Sequence, residues 1–393
     1  MILTQSMAML VDAYRELNAR KLFWVTMGLN LIVVVVYASL GISEKGPTFW
    51  IWTFDNQFFN SKFISPELFY KIQFVSWGTP VWLSWVATIL ALVSTAGIVP
   101  DLVAGGSIET MISKPISRVR LFLTKYTFGL MFAAMQVLVF STGCFLVMWI
   151  RGGVIEPGLF MAVPIVVLFF SFLFSVCALL GLLTRSTVAS LLLTMILWFL
   201  IFAVNATDAL VLATKVQNEL RVEALTLRLE NQNTKADERI VQIEESGEGI
   251  VDGDGNEIED LDDRRQAANP MIIRTKNNLE DAQGSFETWE MWSDRVILLK
   301  TILPKTGETI GLLDRYLVTK DELAKLMAEN SGVDVDDEDF ESINGPPGAD
   351  PRVQARLQDE MRGRGVGWIL GTSLLFEAVM LGMCCLIFSR RDF

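Results

Sequence analysis

Gly106-Ser107-Ile108-Glu109-Thr110-Met111-Ile112-Ser113-Lys114-Pro115-Ile116-Ser117-Arg118-Val119-Arg120 interrupts two long apolar runs. With Lys125 it brings four basic residues, Lys114, Arg118, Arg120 and Lys125, into a short stretch. Short loops rich in Lys and Arg stay on the cytoplasmic side of a bilayer. The apolar runs on either side then read as membrane spans, and the stretch itself as a cytoplasmic loop.

Composition agrees. The chain has 393 residues, of which 51% are hydrophobic, and its mean hydropathy is +0.40. Several apolar runs reach the roughly 20 residues that a helix needs to cross the hydrocarbon core. Many of the 11 Trp and 25 Phe residues lie near the ends of these runs, as an interfacial aromatic belt requires. The net charge of −12 comes from acid concentrated between Glu219 and Asp359; the short loops are balanced or basic, so nothing points to nucleic acid.

The expected fold is an all-α polytopic membrane protein with six spans. Leu3, Met7, Leu10, Tyr14 and Leu17 form a narrow apolar stripe, so residues 1–21 read as an amphipathic interfacial helix. Spans one to five fall in 22–206: about Leu22–Ile42, Val81–Val99 (entered through Pro80), Phe128–Ile150, Leu159–Leu183 and Val188–Val204. The cytoplasmic loop covers 101–125. An aromatic, weakly charged loop after the first span skims the outer interface. The first run lacks a small-residue cleavage site and is expected to remain as a span. The sixth span, about Trp368–Phe388, lies in 366–393.

Residues 207–365 form a large, charged, mainly helical extracytoplasmic insert between spans five and six. Val222, Leu225, Leu229, Ala236, Ile240 and Ile243 make a rough heptad, read as a long helix continuing the fifth span and available to a partner helix. Asn269-Pro270 breaks helix, which resumes from about Met271 to Ile302, stops at Pro304 and continues through Gly311–Tyr316.

With both termini inside, short inner segments carry Arg15, Arg20, Lys21, Lys114, Arg118, Arg120, Lys125, Arg185, Arg390 and Arg391. Short outer loops carry only Lys45, Lys62, Lys71 and Arg151. The bias places the N- and C-termini in the cytoplasm; Arg362 and Arg364 point the other way, but they belong to the long insert, where the rule weakens.

Candidate chemistry is sparse. The chain has no histidine, which removes the commonest metal ligand and the usual general base near neutral pH. Its four cysteines, Cys144, Cys177, Cys384 and Cys385, all fall inside expected spans and show no metal spacing. No phosphate-binding G-x-x-x-x-G-K-[ST] loop and no G-x-S-x-G elbow is present, so this chain cannot hydrolyse nucleotide by a P-loop of its own, and without histidine the common triads cannot be built. Asp252, Asp254, Asn256 and Asp263 weakly resemble a calcium loop, but the sixth position is Glu257 where Gly is required, and a Gly-rich acidic turn fits equally well. Glu377 sits mid-span, where an ionisable group is costly; substrate contact, helix pairing and a structural hydrogen bond to a nearby Ser or Thr all remain open for it.

The loop resembles the cytoplasmic segment of ATP-binding-cassette exporter permeases, closest to the multicopper-enzyme-maturation type that includes the nitrous-oxide reductase maturation permease. The match is carried by Gly106, Glu109, Ser113, Pro115, Ile116, Ser117, Arg118 and Lys125, with Leu303-Pro304 and the terminal Arg390-Arg391-Asp392-Phe393 also alike. It covers the spans and leaves out most of the insert. The resemblance implies a transport subunit, not an enzyme, that forms a homodimer or pairs with a second permease. Each permease would seat a coupling helix, including Lys114, in a cytoplasmic ATPase. The chain itself would bind no cofactor; ATP and Mg would sit on the ATPase. The charged insert offers a surface for an extracytoplasmic partner protein. The competing expectation is a membrane-anchored structural or signalling protein whose outer domain binds a partner.

Overall fold

The computed structural model describes residues 21–55, 60–62, 64–104, 117–247, 249–250, 257–319 and 350–390. The chain is mostly helical, and among the described residues five helices are long and apolar enough to cross a membrane: Pro66–Leu102, Arg118–Gly152, Pro157–Thr184, Thr187–Glu245 and Val366–Arg390. Two compact units are formed, one from Met1–Ala203, Lys300–Asn330 and Arg364–Phe393, the other from Val204–Leu299 and Ser331–Gly363. The expected interfacial helix 1–21 lies outside the described residues except for Lys21.

In the first unit, α1 (Lys21–Ser39) contributes an apolar helix, Phe23–Ser39, shorter than the expected span 22–42. It stops because Leu40 enters a sheet. Strands β1 (Leu40–Ser43), β2 (Gly46–Phe49) and β3 (Trp52–Thr53) pair antiparallel, Leu40 opposite Phe49 and Phe49 opposite Trp52. The all-α expectation is therefore corrected by a small sheet. Aromatic and β-branched residues favour extended backbone, and Gly46 and Trp50 take positive φ at the two turns. Arg151 donates to the Ala38 carbonyl and so caps the end of α1.

Helix α2 (Pro66–Gln73) starts at Ser65, whose hydroxyl accepts from the Leu68 amide at 3.2 Å, with Pro66 at the first helical position. Glu67 and Lys71 pair one turn apart at 2.8 Å, and Lys71 also reaches Glu156 at 3.0 Å. The chain then continues as a π-helix, Phe74–Ala87, with Pro80 inside it, before α3 (Thr88–Thr95) and α4 (Ile98–Ala104). This overturns the expectation that Pro80 opens the second span. Proline in an α-helix lacks a donor and crowds the carbonyl four residues back; the wider i→i+5 winding relieves the clash. Hydroxyls take up the carbonyls of this stretch: Thr79 donates to Phe74 O at 3.2 Å, Ser84 to Thr79 O at 2.8 Å, and Thr88 to Leu83 O at 2.8 Å.

Helix α5 (Arg118–Val147) runs into a π-turn, Met148–Gly152, and ends at Gly153 in the left-handed region. After a 3₁₀ turn, Pro157–Met161, comes α6 (Ala162–Thr184), apolar on all sides and the most buried of the long helices. A helix hydrophobic all round belongs in a core. Gly129 on α5 allows the Phe174 ring of α6 to press against the backbone, where any Cβ would collide. Tyr126 stacks on Phe174 at 5.1 Å and Trp85 on Trp198 at 4.7 Å.

Helix α7 (Thr187–Glu245) is continuous for 59 residues and passes from the first unit into the second. In the second unit follow α8 (Leu261–Ala268) and α9 (Met271–Ile302), the latter ending just inside the first unit; α10 (Thr306–Leu317) belongs to the first unit. Helix α11 (Pro351–Gly363) returns to the second, and α12 (Val366–Arg390) completes the first. The heptad positions Leu225, Ala236 and Ile240 are buried. Leu212 and Val216 pack on Val353. Ion pairs supplement this small core: Arg265 grips Asp237 through two bonds of 2.7 Å, Lys276 meets Asp262 at 3.0 Å, and Arg356 meets Glu219 at 3.2 Å. Residues 300–317, read in the sequence as part of the insert, pack instead in the first unit, where Leu313 and Leu317 join the cluster of Tyr37, Phe74 and Phe140.

Candidate functional site

Helix α12 carries a buried stripe, Ile369, Ser373, Glu377, Cys384 and Phe388, along an otherwise exposed apolar helix. The spacing of four, four, seven and four places these residues on one face. Two polar attachments interrupt the stripe.

The first is Glu377. Its Oε1 accepts from the Tyr126 hydroxyl of α5 at 2.9 Å, and its Oε2 accepts from the Ser171 hydroxyl of α6 at 2.9 Å. Tyr126 Oη also lies 2.9 Å from the Ser171 carbonyl, and Ser171 Oγ lies 2.8 Å from the Leu168 carbonyl. Each hydroxyl has one proton and two acceptors, so each bond to Glu377 can be exchanged for one to the backbone. The carboxyl thus ties three helices together at a point where a small shift in packing has ready alternative partners. Both the helix-pairing and the structural hydrogen-bond readings of Glu377 fit this geometry.

The second attachment was not singled out in the sequence. Ser373 Oγ accepts from the Lys305 backbone amide at 2.9 Å, joining the α9–α10 junction to α12. The Lys305 side chain is fully buried; its Nζ donates to the carbonyls of Lys300, Thr301 and Leu303 at 3.2–3.3 Å and sits 4.4 Å from the Trp368 ring centre. Glu308 bonds both Lys300 and, at 2.8 Å, Arg364. Burial, opposed by the nearby Glu308 charge, lowers the Lys305 pKa from 10.5 to about 8. Lys305 lies outside the long apolar helices, just after the Pro304 that breaks α9. That break was the only sequence signal available.

The basic loop is described only at its ends. Gly106, Glu109, Ser113, Lys114 and Pro115 lie outside the described residues. Ser117 is the N-cap of α5, its hydroxyl accepting from the Arg120 amide at 3.4 Å. Arg118 and Lys125 occupy the first turns of that helix. Both ends of the loop are held by packing: Pro100 lies against Gly181 of α6, and Phe122 packs on Phe388 of α12 at 5.9 Å. Of the calcium candidates, Asp252, Asp254 and Asn256 lie outside the described residues. Asp263 sits in the first turn of α8, where its amide donates to the N-cap carboxylate of Asp260 at 3.2 Å. Acid in a first turn suits the helix dipole. Among the described residues no group of three His, Cys, Asp or Glu side chains is placed to hold a metal ion.

Neither a family model, nor a curated protein, nor a solved structure matches the chain.

Proposed function

We propose that this chain is the transmembrane permease subunit of an ATP-binding-cassette exporter. It sits in a bacterial inner membrane with six spans, α1 being the shortest, and with both termini cytoplasmic. The observation that carries the reading is the Gly-x-x-Glu…Pro-Ile-Ser-Arg loop, suspended between α4 and α5, whose flanks pack on α6 and α12. A short helix in that loop, seated on an ATPase, would act as a lever on two spans. Bistable helix packings convert such small displacements into larger ones, and the exchangeable hydrogen bonds of Glu377 lie on the helices that would move. ATP and Mg belong to the ATPase, not to this chain. Exposed apolar faces on α1, α7 and α12, including Leu31, Leu192, Phe199 and Leu375, offer surface for lipid and for a second permease. The charged second unit suits an extracytoplasmic partner.

The test is co-purification with the ABC ATPase encoded beside the gene. Glu109→Lys and Arg118→Glu reverse the loop's charges, and each should leave the permease in the membrane while cutting ATPase recovery by about tenfold, the effect of a buried or partly buried charge contact. Unchanged recovery and unchanged transport-stimulated ATP turnover would refute the coupling role and leave the membrane-anchor reading in its place.

A further inference from the structure

The hairpin that follows α1 has two unlike ends. Leu40 pairs with Phe49 and Ser43 with Gly46. The Glu44-Lys45 turn therefore lies three residue steps, about 10 Å, farther from α1 than the turn between Phe49 and Trp52. The far turn is charged and exposed. The near turn, Trp50-Ile51, folds back onto the end of α1, where the Trp50 amide donates to the Ser39 carbonyl at 2.7 Å. From Pro47 to Phe54 no side chain is charged, yet Phe49, Trp50, Ile51, Trp52 and Phe54 are all exposed, Ile51 at 81%. Charge sits at the end remote from α1, and bare aromatic surface at the end beside it.

Trp50 gives an independent sign. Its φ is +56°, at the first central position of a two-residue hairpin turn, where positive φ favours glycine. A bulky residue in the left-handed region is a genuine outlier, and such strain gathers at functional positions. Packing does not account for this one, because the indole is 63% exposed. A glycine would relieve the backbone at no loss of core, so the indole serves something that lies outside the fold.

Neighbours in the first unit set the depth. The exposed apolar side chains Ile32, Val35 and Val36 of α1 lead up to the hairpin. Beside the end of α1, Arg151 reaches the Ala38 carbonyl, and the preceding Trp149 and Ile150 are exposed. Apolar helix, then a layer of Trp with Arg, then the charged Glu44-Lys45 turn is the order of groups met on leaving a bilayer.

We propose that the Trp50–Trp52 turn is a foot that docks on the outer leaflet of the bilayer, with its indoles at the boundary of acyl chains and headgroups and the Glu44-Lys45 turn in water. An indole suits that boundary because its ring is apolar and its N–H can bond a headgroup or water. The foot fixes the depth of the outer end of α1, to which the Trp50 amide ties it. The inference rests on the membrane placement and on an outward end of α1, and not on the ATPase partner.

The test uses the full chain alone in nanodiscs, with no ATPase present. Nitroxide labels are placed one at a time at Ile51→Cys, Trp52→Cys, Lys45→Cys and Leu375→Cys, the last on the exposed face of α12, in a Cys385→Ser background. Collisions with oxygen, which partitions into lipid, are compared with collisions with a nickel chelate, which stays in water. Labels at 51 and 52 should meet oxygen more than nickel, though by a smaller ratio than at 375, and the label at 45 should show the reverse. A label at 375 open to nickel would show that the spans are not in lipid, and the membrane placement and the foot would fail together. With 375 in lipid, two outcomes overturn the foot alone. Nickel reaching 51 and 52 as freely as 45 puts the turn in water. Few collisions of either kind put it under protein, which here means a second copy of the chain. Two reporters, at 51 and at 52, guard against one substitution distorting the turn.

Discussion

Glu377 shows how a single ionisable side chain can be read too simply from its position. Mid-span it demands an explanation, and the structure supplies two hydroxyl donors, each with a backbone carbonyl in reserve. The consequence is an asymmetry between variants. In Glu377→Met both hydroxyls fall back on their carbonyls, so the thermal midpoint in detergent should drop little, corresponding to under about 1 kcal/mol, in line with the modest worth of hydrogen bonds between membrane helices. In the Tyr126→Phe, Ser171→Ala double variant the carboxyl stays buried without these donors, and the loss should be about 1–3 kcal/mol. Equal losses would show that Glu377 itself holds the helices together. If Glu377→Met keeps its stability but transport fails, the residue serves the transport cycle rather than the fold.

At the scale of elements, the α9–α10 junction is held to α12 through Ser373, with Lys305 folded beneath it. The unfolded chain keeps the Lys305 proton until about pH 10.5, whereas the folded chain releases it near pH 8. Between those values the unfolded state binds more protons, so stability should rise with pH across that window. Thermal melts of the wild type between pH 8 and 10.5 should show the rise, and Lys305→Met should flatten it. A wild-type midpoint that falls or stays level there, in step with the variant, would mean that Lys305 is not destabilised by burial. The π-helix is the other decisive element. Pro80 made a helix boundary the natural reading, yet the chain kept winding, because the wider turn relieves the clash of the proline ring, with three hydroxyls back-bonding to the carbonyls of Phe74, Thr79 and Leu83 in the same stretch.

For the whole molecule, the proposed topology places the second unit outside the cytoplasm and the end of α12 inside. Cysteine introduced at Asn231, exposed on α7, should react with an impermeant thiol reagent in intact cells, or in spheroplasts where an outer membrane blocks access. Arg390→Cys, at the exposed end of α12, should react only after lysis. The native thiols interfere little, since Cys144, Cys177 and Cys384 are buried and Cys385 is only partly exposed. Labelling in the reverse order would invert the topology and remove the basic loop from the ATPase side.

What the sequence determined by itself was whatever local pattern controls. Long apolar runs located the helices Pro157–Thr184 and Val366–Arg390 closely, the heptad foretold a helix running on from Thr187 to Glu245, and Asn269-Pro270 and Pro304 marked the ends of α8 and α9. Mid-chain glutamate in an apolar run was visible as an anomaly for the same reason: a one-residue departure from hydropathy needs no knowledge of neighbours. Tertiary structure alone decided what those elements met. Tyr126, Ser171 and Glu377 are separated by 45 and 206 residues along the chain, so their meeting depends on how α5, α6 and α12 pack. Lys305 looked like one more charge in an acidic insert, and became a buried group only because α10 turned back into the apolar bundle. The π-winding likewise reflects a contest between the Pro80 ring, the hydroxyls that back-bond around it and the packing of Phe140 beside Gly78. Hydropathy and spacing do not encode such a contest, because its outcome is set by neighbours distant in the chain.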